Sequence, residues 1–142
     1  MSTEGYFIED LSVGQSEEFT KTVTETEIEQ FAEVSGDNNP VHLDADYAAG
    51  TMFKERIAHG MLSAGFISAV IGTKLPGPGA IYMSQQMRFK APVKIGDTVT
   101  ARCTITDINA SRRRVTLETV CLVDGNPVIE GEALVMVPSR ET

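Results

Sequence analysis

The chain has 142 residues, enough for one domain that buries roughly two-thirds of the surface of its unfolded chain. Twenty Asp and Glu against twelve Lys and Arg set a formal charge of -8, so the bulk phosphate neutralisation that nucleic-acid binding needs is lacking. With 42% hydrophobic and 23% charged residues, the composition is that of an ordinary folded protein, neither disordered nor fibrous.

Met1 to Asp10 carries Glu4, Glu9 and Asp10 instead of a basic region followed by an apolar core, so no secretory signal is expected and the chain is read as cytoplasmic. Glu17, Phe19, Lys21 and Val23 alternate with polar neighbours as an edge strand that stops at Thr24. Thr24 and Glu27 form a capping-box pattern ahead of Ile28, Phe31 and Ala32, which predicts a helix over Glu25 to Ser35 ended by Gly36. Asp37 to His42, with Pro40 inside, reads as a turn or loop, and a second short helix is expected over Asp44 to Ala49.

Ile57 to Gly72 is the longest weakly polar stretch at 16 residues, short of the roughly 20 a bilayer needs, so no membrane partner is expected. Ile57 to Ile71 is apolar on nearly every side and reads as a helix buried all round. From Ala80 the period changes to two. Ala80–Lys90, Thr98–Ile108, Arg113–Val123 and Val128–Val137 are predicted strands separated by turn-rich segments, the last three forming a meander. Cys103 and Cys121 have no second cysteine nearby in sequence, so they read as reduced core thiols, with neither a disulfide framework nor a zinc site.

These elements make an α+β protein with a segregated antiparallel sheet. A helix apolar all round hides its surface only if that sheet curves around it, which is the hot-dog arrangement, an antiparallel sheet wrapped about a long central helix. The whole chain, 1–142, is expected to be one such domain. An open sheet edge predicts a homodimer joined edge to edge.

Asp37 and His42 stand five residues apart in a proline-shaped loop, where both can reach one water and divide its proton transfers. On spacing alone the pair reads rather as turn-shaping, Asp37 capping the turn and His42 satisfying a backbone group. Gly60 lies in the first turn of the predicted central helix, where free N–H groups and the helix dipole favour an anion and a missing side chain permits close approach. Ala64, Ser68 and Ile71 follow Gly60 at steps of four, four and three and are expected to line one groove with it. Ser68 has the alternative of bonding back to the Ala64 carbonyl. His59 reads as a helix-start or core residue.

The run Phe31-Ala32-Glu33-Val34-Ser35-Gly36-Asp37-Asn38-Asn39-Pro40-Val41-His42, with Ala48 after it, resembles the signature of the MaoC-like (R)-specific enoyl-CoA hydratases, or hydratase 2. The resemblance continues through His59-Gly60-Met61 and Arg88-Phe89-Lys90-Ala91-Pro92-Val93. It implies that Asp37 and His42 hold a catalytic water and deliver it to C3 of a trans-2-enoyl thioester, with the proton placed on C2. It also implies that the Gly60 N–H meets the charge on the thioester oxygen, without metal or redox cofactor. Asn39, inside the signature, is expected to fix the His42 side chain across the loop. Arg88 and Lys90, and the run Arg112-Arg113-Arg114, are candidates for the phosphates of coenzyme A, the arginine run equally readable as a solvated hairpin tip. Polyester precursor supply and fatty-acid oxidation are both compatible pathways. The competing activities are a hot-dog acyl-CoA thioesterase, which commonly places a carboxylate on the central helix where Gly60 to Gly72 has none, and a non-catalytic acyl-thioester binding module.

Overall fold

In a computed structural model that describes residues 4–141, five strands form one antiparallel sheet: β1 (Ser16–Thr22), β2 (Ile81–Phe89), β3 (Thr98–Asn109), β4 (Arg114–Val123) and β5 (Asn126–Met136). Their order across the sheet is β1-β3-β4-β5-β2, so β3 to β5 make the expected meander and β1 and β2 are the two edges. Period-two patterning places Val99, Ala101, Cys103 and Ile105 of β3, and Val115, Leu117, Thr119 and Cys121 of β4, on the buried face. Asp124 and Gly125, both at positive φ, turn β4 into β5 in the manner of a two-residue hairpin loop.

Among the described residues four helices accompany the sheet: α1 (Glu25–Ser35), α2 (Pro40–Leu43), α3 (Ala45–Ala49) and α4 (Gly60–Thr73), with a short 3-10 turn at Ile8–Asp10. Gly36 ends α1 in the left-handed conformation that a side chain resists. The Thr24 hydroxyl bonds the Glu27 carboxylate at 2.5 Å, without a side-chain bond to a backbone N–H of α1. α2 falls where the sequence predicts a loop; a single turn carries no periodicity from which to read it.

α4 packs against β1, β3, β4 and β5. A helix about 10 Å wide touches strands spread over about 14 Å only if the sheet curves around it. Ile67, Val70 and Ile71 face that concave side, each stabilising the fold by about 1.5–3 kcal/mol through burial. Two expectations need correction. The helix begins at Gly60, because Ile57 is held extended by a bridge to Lys94 and the Ala58 N–H donates to the Val93 carbonyl. Nor is it buried all round: Met61, Gly65, Ser68 and Gly72 form an exposed stripe, since a sheet covers one side of a helix and the residues at this spacing face away from it.

Candidate active site

The loop after α1 and the start of α4 face each other because both are tied to α2. Asn39 caps α2, its Oδ1 accepting from the Val41 N–H at 3.1 Å, and Pro40 occupies the first helical position, where no N–H is needed. Asp37 Oδ1 accepts from the Asn39 N–H at 3.3 Å, which fixes the loop while leaving the residue exposed. The turn of α2 directs His42 inward, with only 9% of the residue exposed and Nδ1 2.7 Å from the Ile57 carbonyl. A carbonyl only accepts, so Nδ1 carries a proton, and in the neutral ring Nε2 is then the lone-pair nitrogen. Arg56 braces this turn, Nε donating to the His42 carbonyl at 2.7 Å while the guanidinium pairs with Glu25 of α1.

His59, immediately before α4, is buried against both groups. Its ring stacks on His42 with centroids 3.8 Å apart and planes at 28°, and it packs on Phe31 at 4.7 Å. Its Nε2 lies 2.8 Å from the Asp37 carbonyl and therefore donates. Burial pushes the His59 pKa below its ordinary value of 6.5, against the pull of the Asp37 carbonyl and in concert with the neighbouring His42. Gly60 follows as the first residue of α4, its N–H without an intrahelical acceptor and at the positive end of the helix dipole. A Cβ there would stand 2.5 Å from Phe89 Cε1 and 2.6 Å from Cδ1, so with the Phe89 ring where it stands the helix start has room only for glycine.

Asp37, His42, His59 and Gly60 share the wall of one cavity of about 680 Å³, otherwise apolar in character, with Phe31, Phe53, Met61, Phe89 and Ile129 around it. Lys90 stands at its wall as well, 3.2 Å from Glu130. The donor atoms of Asp37, His42 and His59 lie within 4.8 Å of one another. They do not suit a single metal ion, which must lie in the plane of each imidazole at about 2.0–2.1 Å, because planes stacked at 28° meet much farther away. The arrangement suits proton transfer: a carboxylate and an imidazole lone pair beside an unpaired helix-start N–H.

Other expected residues fall elsewhere. Asn39 does not reach the His42 side chain; its own side chain is engaged in capping α2, and its carbonyl accepts from the His42 N–H. Ala64, Ser68 and Ile71 do not line the cavity with Gly60. Ser68 is exposed and Ile71 lies in the core, since a straight helix carries that face away from the cavity. Arg88 is exposed on β2 outside the cavity lining. Arg114 pairs with Met136, which pairs with Ile81, whereas Phe89 at the cavity pairs with Ile129. Seven positions along β5, from Met136 to Ile129, or about 23 Å, thus separate the arginine run from this cavity. Arg56 and Ser63, which no motif marks, belong to the site as well, and His59, expected as a helix-start or core residue, stands at the cavity wall. Ser63 stands four residues after His59 on one helical face, a spacing that could have drawn attention to it.

A curved antiparallel sheet around one helix, with a carboxylate, an imidazole and a helix N-terminus at one apolar cavity, defines a hot-dog protein equipped for acid–base chemistry. Residues 10–126 match the family model described as MaoC like domain. The chain is 58% identical over 135 residues to an (R)-specific enoyl-CoA hydratase of Rhodospirillum rubrum, covering 95% of this chain and 94% of the relative. It is 48% identical to a 3-hydroxybutyryl-CoA dehydratase of Methylorubrum extorquens, over 95% of this chain and 86% of the relative. Its fold matches the R-hydratase PhaJ1 of Pseudomonas aeruginosa with a TM-score of 0.90 and 47% identity, over 96% of this chain and 88% of that one. The chain belongs to the MaoC-like family, and within it to the (R)-specific enoyl-CoA hydratases.

Proposed function

We propose that residues 1–142 act as one catalytic domain that adds water reversibly to a trans-2-enoyl-CoA, giving the (R)-3-hydroxyacyl thioester, with Asp37 and His42 holding the water. The observation that carries this reading is the proximity of the Asp37 carboxylate and the His42 imidazole at the wall of one apolar cavity, beside the start of α4. The names of the two relatives, a hydratase and a dehydratase, describe opposite directions of such a reaction.

In the forward direction the water oxygen bonds to C3 and a proton is delivered to C2 on the same face, because both polar groups lie on one side of the cavity. The C2=C3 electrons shift toward the thioester carbonyl, and the Gly60 N–H meets the charge developing on its oxygen. His42 Nε2 takes a proton from the water as its oxygen attacks, and Asp37, which also holds that water, relays the proton to C2, so the pair ends as it began. One water is consumed and no electrons leave the substrate, so the cycle calls for no redox partner. α4 has no Asp or Glu, which leaves a thioesterase without a carboxylate on the central helix.

The substrate enters as a coenzyme A thioester, with Lys90 the candidate at the cavity for its polar portion. A second copy of the chain is the proposed partner. Edge strand β2 leaves Ile81, Met83 and Phe89 exposed, and α4 leaves its stripe of Met61, Gly65, Ser68 and Gly72 open. Among the described residues no helix is long and apolar enough to cross a membrane. The unpaired, buried Cys103 and Cys121 suit the reducing cytoplasm proposed as its location.

The test follows the absorbance of the enoyl thioester with crotonyl-, hexenoyl- and decenoyl-CoA. Loss of that absorbance with formation of the (R)-3-hydroxy product and no free thiol is expected. Thiol release with the double bond retained would replace this reading with hydrolysis, and binding without turnover would make the domain a carrier of acyl thioesters.

A further inference from the structure

The mechanism above leaves one buried imidazole unused. His59 is 2% exposed and meets three parts of the site at once: the Asp37 carbonyl through Nε2 at 2.8 Å, the face of His42 at 3.8 Å, and Phe31 at 4.7 Å. Its Nδ1 and the Ser63 hydroxyl oxygen are the buried side-chain polar atoms without a hydrogen-bond partner among the described residues. A helix start in need of a cap does not explain the residue, since the His59 side chain makes no bond to the backbone of α4. A packing role does not explain it either, because an apolar ring would fill the same space without burying an unsatisfied nitrogen.

The Asp37 carbonyl demands Nε2–H, and the unpartnered Nδ1 is then a lone pair. His42 has the opposite tautomer, Nδ1–H toward Ile57 and a lone pair on Nε2. Two stacked rings thus hold opposite tautomers, each set by a carbonyl from a different segment. A neutral ring against His42 leaves that imidazole free to accept a proton, whereas a cation in face contact would oppose it. The Nε2–H bond also pins the peptide whose side chain is the Asp37 carboxylate.

We propose that His59 is a positioning residue for the hydration reaction: as a neutral Nε2–H imidazole it fixes the Asp37 peptide and backs the His42 ring, acting through those two groups. This rests on the hydratase reading above. It differs from that reading in assigning function to the donor at position 59 rather than to the ring's bulk.

The two histidines are the only ones in the chain, so long-range 1H–15N spectra of the uniformly labelled wild-type protein at pH 7 report their tautomers directly. One ring is expected as Nε2–H and the other as Nδ1–H, and replacement of His59 by phenylalanine should remove the Nε2–H set. In turnover with crotonyl-CoA, His59→Phe should lower kcat by about 10- to 100-fold, the range for losing a group that orients a reacting side chain. KM should stay within about threefold, since the loss falls on the transition state. His59→Gln, whose amide N–H can reach the same carbonyl, should recover most of that loss. A cationic His59 at pH 7, an Nδ1–H tautomer there, or Phe and Gln variants with equal rates would overturn the assignment. A wild-type protein that does not hydrate crotonyl-CoA, hexenoyl-CoA or decenoyl-CoA would instead refute the hydratase reading, whatever the spectra show. Should the Phe variant fail to fold, the wild-type tautomers and the Gln variant still decide the matter.

Discussion

Replacing Asp37 by Asn separates the two tasks that this residue performs. The side chain shapes the loop through one oxygen, which accepts from the Asn39 N–H, and an amide oxygen can take over that bond. The bond from His59 goes to the backbone carbonyl of residue 37, which the substitution leaves in place. Because the residue is exposed and both contacts survive, stability should change by no more than about 0.5 kcal/mol. What disappears is the ionisable group, and a general acid–base group supplies about 10²–10⁴-fold in rate, or about 2.7–5.5 kcal/mol of transition-state stabilisation. The expected variant melts like the wild type, binds crotonyl-CoA with nearly the same affinity, and loses kcat by at least about 10²-fold in the absorbance assay. His42→Gln should behave alike, and the double variant should be little worse than the poorer single one, because the pair serves one water. A folded Asp37→Asn protein with more than about half the wild-type rate would make Asp37 a loop-shaping residue and refute the acid–base argument.

Gly60→Ala should fold, since the exposed Phe89 ring can swing away from the new Cβ at a cost within the 1–3 kcal/mol typical of overpacking. Its kcat/KM should fall by about 10²-fold as the helix start is screened from the thioester oxygen; Phe89→Ala in the same chain should restore part of the rate, and an undiminished Gly60→Ala enzyme would contradict the oxyanion role. Light scattering at micromolar concentration should report a dimer, and Ile81→Lys with Met83→Glu should shift it to monomer; a monomeric wild type or an unaffected variant would count against pairing through β2. The depressed pKa of His59 means that the unfolded chain takes up this proton first, so its contribution to stability is full above about pH 6.5 and declines as the pH falls below that value. Urea midpoints measured from pH 7.5 to 5.5 should therefore fall more steeply for the wild type than for His59→Phe, and parallel curves would show that His59 is not held neutral by the fold.

Local chemistry by itself determined much of this protein. Thr24, bonded side chain to side chain with Glu27, and Gly36 bracket α1 at residues 25 to 35 because such contacts and left-handed termination act within a few residues, and the strands of the meander are legible because a half-buried sheet imposes period two. The signature containing Asp37 and His42 is contiguous, so the two groups proposed to handle the water could be named before any contact was known. Only tertiary structure decided what those groups touch. The inward aim of His42 depends on Ile57, Arg56 and Glu25, and the partners of His59 come from α1, the loop after it and α2, none of which periodicity can place in contact. Ala64, Ser68 and Ile71 share a helical spacing with Gly60, yet the sheet's curvature and the position of Phe89 decide which part of that helix meets the cavity. A spacing rule fixes which residues share a face of one element, whereas the environment of that face is set by segments distant in sequence, whose placement depends on the packing of the whole chain.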